Sequence, residues 1–454
     1  MIESVRAAFT LPDLRRRILF TLTMLVIYRL VSNIPVPGVN LAAWLQFTQG
    51  TEGSTGLLGV LNLLSGGAVA NFSVMAMGVY PYITASIIMQ LVTPIVPQLQ
   101  ELQSEGEQGR NKINRITYYM TVPLALLQAI GQIRLIGLSI GGDTDALRTI
   151  LPNFGFSSAT DILPTMTTLL AMVAGTMFAI WLGERITEEG IGQGISLIIF
   201  GGIVAGIPTN LIRIFALPDQ TTRLFTVVAF VLLTIFTVLV IVVVHEGQRR
   251  VPVQYGRRVR GRKVYQGQST HIPLKVNTAG MIPIIFAQSL ILLPALLAQF
   301  FISGSGGFVD RAASWMALEF GNQTSFVYWF LYFLLVVGFT FFYTDVMVQQ
   351  QKLPDTLQRQ GGFIPGIRPG KRTSEYLMSV VRRITLVGAL FLGGVAILPG
   401  IMQLVGFLLR IPGIEQSALV VDGAGLIIVV GVVIDTMRQL EAQLLMRHYE
   451  GFIK

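Results

Sequence analysis

Few residues of this chain could make or break bonds. It contains three histidines, His245, His271 and His448, and no cysteine. Disulfides, thiolate metal sites and cysteine nucleophiles are therefore excluded. There is no phosphate-binding Gly-Lys-Ser/Thr loop and no His-Glu-x-x-His pair. His245 and His271 flank a strongly basic stretch, where a solvated imidazole is the ordinary reading. The sequence predicts no enzyme, no cofactor and no metal. What recurs at meaningful spacing is isoleucine. Ile83 and Ile87 stand four residues apart, as do Ile195 and Ile199, so each pair shares one helix face. Singly, each residue reads as ordinary packing or a lipid-facing side chain. Together they suit an aliphatic constriction that gates by dewetting, without charge or metal.

Such a constriction needs long apolar elements to hold it. Hydrophobic residues make up 52% of the chain and charged residues 13%, and the mean hydropathy is +0.65. That composition belongs to a membrane protein. A spanning helix needs roughly 20 apolar residues, and on that ruler spans fall near 16–36, 73–95, 116–138, 162–182, 191–209, 222–244, 277–299, 325–346, 384–407 and 423–443. Gly78-Val-Tyr-Pro-Tyr-Ile-Thr-Ala85 in the second span and Gly280-Met-Ile-Pro-Ile-Ile-Phe-Ala287 in the seventh share the pattern G-x-x-P-x-I-x-A. These two spans cross in opposite directions, as the copies of an inverted repeat of two five-span halves would. Coincidence is the competing account, since Gly, Ile and Ala are common in membranes. The repeat places Ile285 where Ile83 stands in the first copy.

Charge sorting supplies the topology. The 33 Lys and Arg residues fall almost entirely into alternate gaps, and none lies between Arg29 and Arg110. Basic loops resist translocation and stay cytoplasmic. With an even number of spans, both termini are expected inside, and Arg15, Arg16 and Arg17 pin the first span there without a cleavable signal peptide. A net charge of +9 and a pI near 9.9 follow from this topology without invoking nucleic acid. Glu184, Asp345 and Asp435 all sit toward span ends, so no span carries an acid at its centre. Ion-coupled transporters generally need one.

Three connections are unusual. Residues 246–276 alternate β-prone residues with cations and predict a basic hairpin standing out from the membrane. Residues 347–383 include Gly361-Gly-Phe-Ile-Pro-Gly-Ile-Arg-Pro-Gly370, a loop no helix tolerates. Ordinary anchoring needs only a few cations beside each span; eight Lys and Arg in the first loop and seven in the second favour a docking surface for a large anionic or acidic-patched partner. In the first outer gap, the run Leu57–Leu64 would extend about 12 Å as a helix, too short to span. It is either an interfacial helix or a re-entrant segment that survives at membrane depth because protein buries it.

These residues, with Ser65-Gly-Gly-Ala68, Glu105-Gly-Glu-Gln-Gly-Arg110, Trp181–Ser196, Gln268–Asn277 and Phe363–Gly370 in one order, resemble the SecY family, pore subunits of the bacterial protein-conducting channel. The resemblance implies an all-α membrane protein of ten transmembrane helices in two inverted halves, 1–209 and 210–454, with a short re-entrant plug helix. It implies a pore ring of Ile83, Ile87, Ile195, Ile199, Ile285 and Ile428. The plug is then Leu57–Asn71, with Leu57, Leu58, Val60, Leu61, Asn62, Leu63, Leu64, Ser65, Gly66, Gly67 and Asn71 as its residues. A lateral gate would run between the second and seventh spans, through Thr84, Ser86 and Gln90 on one side and Phe286, Gln288 and Ser289 on the other. The basic loops would receive the ribosome or the SecA motor ATPase through Arg257, Arg258, Arg260, Arg262, Lys263, Arg368, Lys371 and Arg372. SecE and SecG as small membrane subunits, signal-sequence-bearing polypeptides as substrates, membrane lipids, and the bacterial inner (plasma) membrane complete the implied setting. Asn71 departs from the arginine that relatives often place at the plug's end, which puts charge-based plug locking in doubt. Lys263 at the hairpin tip keeps a charge but loses bidentate phosphate geometry. Two other classes compete: a small-solute secondary transporter with inverted repeats, and a scaffold that docks a complex without conducting.

Overall fold

The computed structural model of the chain describes residues 11–50, 62, 65–139, 148–155, 159–215, 220–255, 258–260, 263–265, 269–302, 307–321, 325–351, 353–368, 370–409 and 423–450. Helix α1, Pro12–Val31, opens with proline in its first turn and Asp13 beside the positive end of its dipole. Its buried residues Leu14, Thr21 and Tyr28 recur every seven positions, one narrow seam, whereas Leu19, Leu22, Val26 and Leu30 are exposed. Helix α2, Leu41–Gly50, follows. The chain then runs through turns and a 3-10 turn, Val69–Asn71, into α3, Tyr80–Val92. Pro94 and Pro97 cannot continue α3, and the next helix, α4, Pro97–Ser104, departs from it at 102°.

Helices α5, Glu107–Ser139, α6, Ala159–Glu189, α7, Gly194–Phe215, and α8, Gln220–Glu246, complete the first helical array. Next come strands β1, Gln248–Tyr255, β2, Arg258–Arg260, β3, Lys263–Tyr265, and β4, Ser269–Lys275. Helices α9, Ile282–Ala298, α10, Phe308–Gly321, α11, Phe326–Gln351, and α12, Leu353–Arg359, lead to the two-residue strand β5, Gly362–Phe363. The chain ends in α13, Lys371–Ala396, α14, Leu398–Leu409, and α15, Gly423–Glu450.

Each of the ten predicted spans overlaps one of these helices, the ninth two of them, and several bounds differ. The second span is helical only from Tyr80, because 73–79 is a run of turns. The ninth begins with Lys371, inside the predicted loop, and breaks at Ile397 ahead of Pro399. Among the described residues four segments are by themselves long and apolar enough to cross a membrane: Glu107–Gly137, Thr160–Glu189, Phe326–Val348 and Lys371–Ala396; α3 and α4 together add a fifth, bent one. Helix interiors contain Pro123, Pro164, Pro208 and Pro294, which membrane helices accommodate through their neighbours.

One buried apolar cluster joins both halves of the chain, running from Tyr28 through Ile83, Ile133, Leu169 and Ile198 to Ile285, Tyr332, Leu392 and Ile428. A second cluster lies under the strands. β1 alternates, with Val251 and Val253 buried and Pro252 exposed. They pack with Leu274, Val348, Leu357, Ile364, Leu377 and Val381. The sheet order is β4-β1-β5, with Gln248 opposite Lys275, Gln254 opposite Ser269, and Tyr255 opposite Gly362. The two basic loops, read as separate features from the sequence, thus share one sheet and one core.

Backbones approach closely where glycine permits it. A Cβ on Gly175 of α6 would lie 2.0 Å from the carbonyl oxygen of Val74. Gly175→Ala is expected to force α6 away from the 73–79 turns and to cost about 1–3 kcal/mol, beyond the gain in helix propensity. A thermal unfolding midpoint in detergent equal to or above that of the parent protein would contradict this packing.

Candidate functional site

The isoleucines singled out by spacing arrive from four helices: Ile83 and Ile87 on α3, Ile195 and Ile199 on α7, Ile285 on α9 and Ile428 on α15. Ile83, Ile87, Ile199, Ile285 and Ile428 are buried members of the large cluster, and Ile195 packs against it partly buried. The turn before α7 is tight. A Cβ on Gly194 would meet the Gly183 carbonyl oxygen at 1.8 Å, and Ile195 Cγ1 lies 3.0 Å from where a Cβ on Gly183 would sit.

Helices α3 and α9 meet along a seam that is apolar apart from a few polar groups. The Tyr80 hydroxyl donates to the Ser289 carbonyl oxygen at 3.0 Å, a buried bond between residues 209 positions apart. Thr84 Oγ1 donates to the Tyr80 carbonyl at 3.1 Å and accepts from Gln128 Nε2 at 3.3 Å. Ser86 Oγ accepts from Gln90 Nε2 at 3.3 Å within α3. Phe286 sets its ring edge-to-face against Phe339 and Tyr343 of α11, at centroid separations of 6.0 and 6.1 Å. Gln288 and Ser289 are buried, and Gln128 Oε1, Gln288 Oε1 and Ser289 Oγ find no hydrogen-bond partner among the described residues. At one end of the seam Arg134 Nη1 donates to the Gln299 carbonyl at 3.3 Å, and its guanidinium lies 5.3 Å from the Phe300 ring centre. Sequence reading named Thr84, Ser86, Gln90, Phe286, Gln288 and Ser289 but missed Tyr80, Gln128 and Arg134. The available signal was a hydroxyl, an amide and a cation inside otherwise apolar helices.

Of the predicted plug, Leu57, Leu58, Val60, Leu61, Leu63 and Leu64 lie outside the described residues. Asn62, Ser65, Gly66, Gly67 and Asn71 are described. The prediction of one helix through Asn71 needs correction, because 65–71 is built from turns and the 3-10 turn. The Tyr28 hydroxyl donates to the Ser65 carbonyl at 2.6 Å, and Arg29 Nη1 donates to the Gly66 carbonyl at 3.0 Å. Gly66 is in the left-handed region at φ +66, and a Cβ on Gly202 of α7 would lie 2.0 Å from its Cα. Asn62 Oδ1 accepts from the Ala70 N–H at 2.9 Å, and Asn71 Nδ2 donates to Asn33 Oδ1 at 2.8 Å. Trp44 Nε1 donates to the Ala70 carbonyl at 2.8 Å, and its ring meets Phe72 edge-on. Position 71, where the sequence raised the missing arginine, bonds to Asn33, and the cation Arg29 of α1 reaches Gly66, five residues earlier.

Of the predicted basic-loop contacts, Arg257 and Arg262 lie outside the described residues, while Arg258, Arg260 and Lys263 belong to the separate two-stranded tip ladder β2–β3, with Arg260 opposite Lys263. Arg368, Lys371 and Arg372 are exposed. Lys371 and Arg372 open α13, at the helix end whose dipole repels cations. At the hairpin root, burial and then Arg438 push Lys275 below the ordinary lysine range, with Asp435 and Glu246 opposing. Among the described residues no His, Cys, Asp or Glu cluster could hold a metal.

A family profile described as SecY matches residues 73–437. The chain belongs to the SecY family. Full-length relatives agree: the protein translocase subunit SecY of Halalkalibacterium halodurans is 43% identical over 461 residues, covering all of both chains. That of Streptomyces galbus is 41% identical over 464 residues, again end to end. Among solved structures, one described as a protein conducting channel aligns with a TM-score of 0.57, covering 94% of this chain and 91% of that one at 16% identity. Sec61 in the canine ribosome–channel complex aligns at 0.56 with the same coverage and identity. These likenesses establish the SecY/Sec61 fold. As a SecY-family member the chain is a membrane translocase subunit, a protein-conducting channel and not an enzyme. The small-solute transporter reading finds no support.

The seam bond yields a direct expectation. Tyr80→Phe removes a buried bond to the Ser289 carbonyl, an oxygen that the α9 ladder also engages, a loss of about 0.5–1.5 kcal/mol. Disulfide formation between cysteines engineered into α3 and α9, in a chain that has none of its own, should become less efficient in the Phe variant. Equal cross-linking would contradict it.

Proposed function

We propose that this SecY-family chain is the pore subunit of a bacterial plasma-membrane translocase, with ten spans in two inverted halves, 1–209 and 210–454, and both termini cytoplasmic. Full-length identity of 43% to a protein translocase subunit SecY carries the reading. Support for the span count comes from the helix inside each apolar stretch, and for the orientation from the alternating cations. The isoleucines Ile83, Ile87, Ile195, Ile199, Ile285 and Ile428 act as the constriction; five are buried in one cluster and Ile195 packs half-buried against it, which supports a ring. An aliphatic waist neither binds a polar backbone nor favours a hydrated ion, so it can close around a passing chain and dewet when empty.

Residues Leu57–Asn71 act as the plug, with 65–71 as its anchored end. The seam between α3 and α9 acts as the lateral gate. A sufficiently apolar substrate segment leaves through it because transfer to lipid gains about 25 cal/mol per Å² of apolar surface. The basic sheet, through Arg258, Arg260, Lys263, Arg368, Lys371 and Arg372 together with Arg257 and Arg262, receives a ribosome or the SecA motor, which supplies the energy the chain has no means to generate. SecE and SecG are the expected membrane partners and signal-bearing polypeptides the substrates. One structural relative is itself described as an idle yeast Ssh1 complex bound to the 80S ribosome.

Two measurements test this. Ile83→Asn and Ile285→Asn channels in planar bilayers are expected to conduct ions at rest and to accept weaker signal sequences; parental behaviour of both would remove the ring. Arg368→Glu is expected to insert and fold normally yet to translocate poorly with purified partners, and full transport would remove that docking contact.

A further inference from the structure

The middle of α15, where Asp435 lies instead of at the span end the sequence suggested, sits between the docking sheet and the start of α7. On one side are the residues at the hairpin root. Glu246 closes α8 two residues before β1, and Lys275 ends β4; the root is tied by the Val276 N–H donating to the Gly247 carbonyl at 2.8 Å. Arg438 Nη2 of α15 donates to Glu246 Oε1 at 2.7 Å. His245 Nε2 stands 3.7 Å from Asp435 Oδ1, with His245 buried. These five groups, His245, Glu246, Lys275, Asp435 and Arg438, form one mixed-charge cluster.

On the other side is the 190–193 turn that leads into α7. The Gly192 N–H donates to Gln439 Oε1 at 2.9 Å across 247 residues of sequence. Gly192 has φ +91, and a Cβ there would crowd Leu197 at 2.9 Å and Thr436 Oγ1 at 3.1 Å. Leu440 is buried with Ile191 and Leu14, and the Ile191 N–H donates to Thr21 Oγ1 at 3.1 Å. Three residues beyond Gly192, α7 presents Ile195 and then Ile199. Ile428 lies on α15 itself, seven residues and about two turns before Asp435.

We infer that Asp435–Leu440 is a coupling element: Arg438 holds the hairpin root, Gln439 and Leu440 hold the turn into α7, and displacement of the docking sheet therefore reaches the isoleucines of α7 and α15. The inference rests on the docking and ring readings above and names the residues that connect them. Its physical basis is asymmetry. The Arg438–Glu246 pair is partly exposed, 29% and 45%, and therefore weak and exchangeable. The Gln439 and Leu440 contacts are tied to backbone and buried apolar surface, so α15 follows the turn and can be released from the root. Arg438 and Gln439 are positioning residues, acting on the constriction through α7.

The channel, assembled with its partner subunits in lipid bilayers, tests this with purified ribosomes as the probe. Arg438→Ala and Gln439→Ala are each expected to bind ribosomes within about twofold of the parent while losing about fivefold or more of the ribosome-induced change in conductance. The exchange Glu246→Arg with Arg438→Glu restores that change, whereas Arg438→Glu alone does not. An undiminished response in Arg438→Ala, or an exchange no better than Arg438→Glu, overturns the coupling. Failure of the parent channel to bind ribosomes overturns the docking reading instead. A partner-free arm then decides: Gln439→Ala and Ile199→Ala combined should be non-additive in resting conductance. Additive effects overturn the coupling, and an Ile199→Ala channel that conducts like the parent overturns the ring reading.

Discussion

Hydrocarbon offers no hydrogen bonds, so any backbone that leaves a helix at membrane depth must be satisfied by protein. This constraint organises the first third of the chain. Residues 32–40 and 65–79 are irregular, and their polar groups are met one by one. The Val36 N–H donates to Phe72 O, and the Val74 N–H to Ile34 O. The Ser65, Gly66 and Ala70 carbonyls accept from Tyr28, Arg29 and Trp44. Phe72, a bulky residue at φ 44, is held in a conformation it would not choose alone because its ring is buried under Trp44. Helices α1 and α2 thus support an irregular segment that could not stand by itself.

The halves of the molecule are joined differently. They share one apolar cluster, yet the seam between α3 and α9 leaves Gln128 Oε1, Gln288 Oε1 and Ser289 Oγ unpartnered among the described residues. Buried polar atoms without partners raise the energy of this arrangement. Among the described residues the seam is therefore held by shape, by the hydroxyl–carbonyl bond from Tyr80 and, at its end, by the Arg134 bond to the Gln299 carbonyl. The basic sheet shows the opposite economy. Pairing β5 with β1 and burying Val251, Val253 and Ile364 together turns two cation-rich loops into one body.

Much of this was legible in the sequence. Apolar runs of spanning length, alternate basic gaps, the G-x-x-P-x-I-x-A pair and the β-alternation after Glu246 located the helices and the hairpin. They did so because hydrophobic length, charge asymmetry and side-chain period are local or one-dimensional quantities. Bounds failed where local signals conflicted. The cations at Lys371 and Arg372 read as loop, although they open α13, and the motif at Gly78 read as span interior, although 73–79 is turns.

The amino-acid order alone determined membrane residence, the hairpin and the aliphatic character of the candidate waist. Only the tertiary structure decided what meets what. Tyr80 against Ser289, Gly66 against Gly202, Arg29 against Gly66, and Gln439 at Gly192 are contacts between residues 37 to 247 positions apart. A hydrogen bond or a van der Waals fit depends on separations of tenths of an ångström. Those separations are set by how whole helices pack, and no local pattern of residues encodes them.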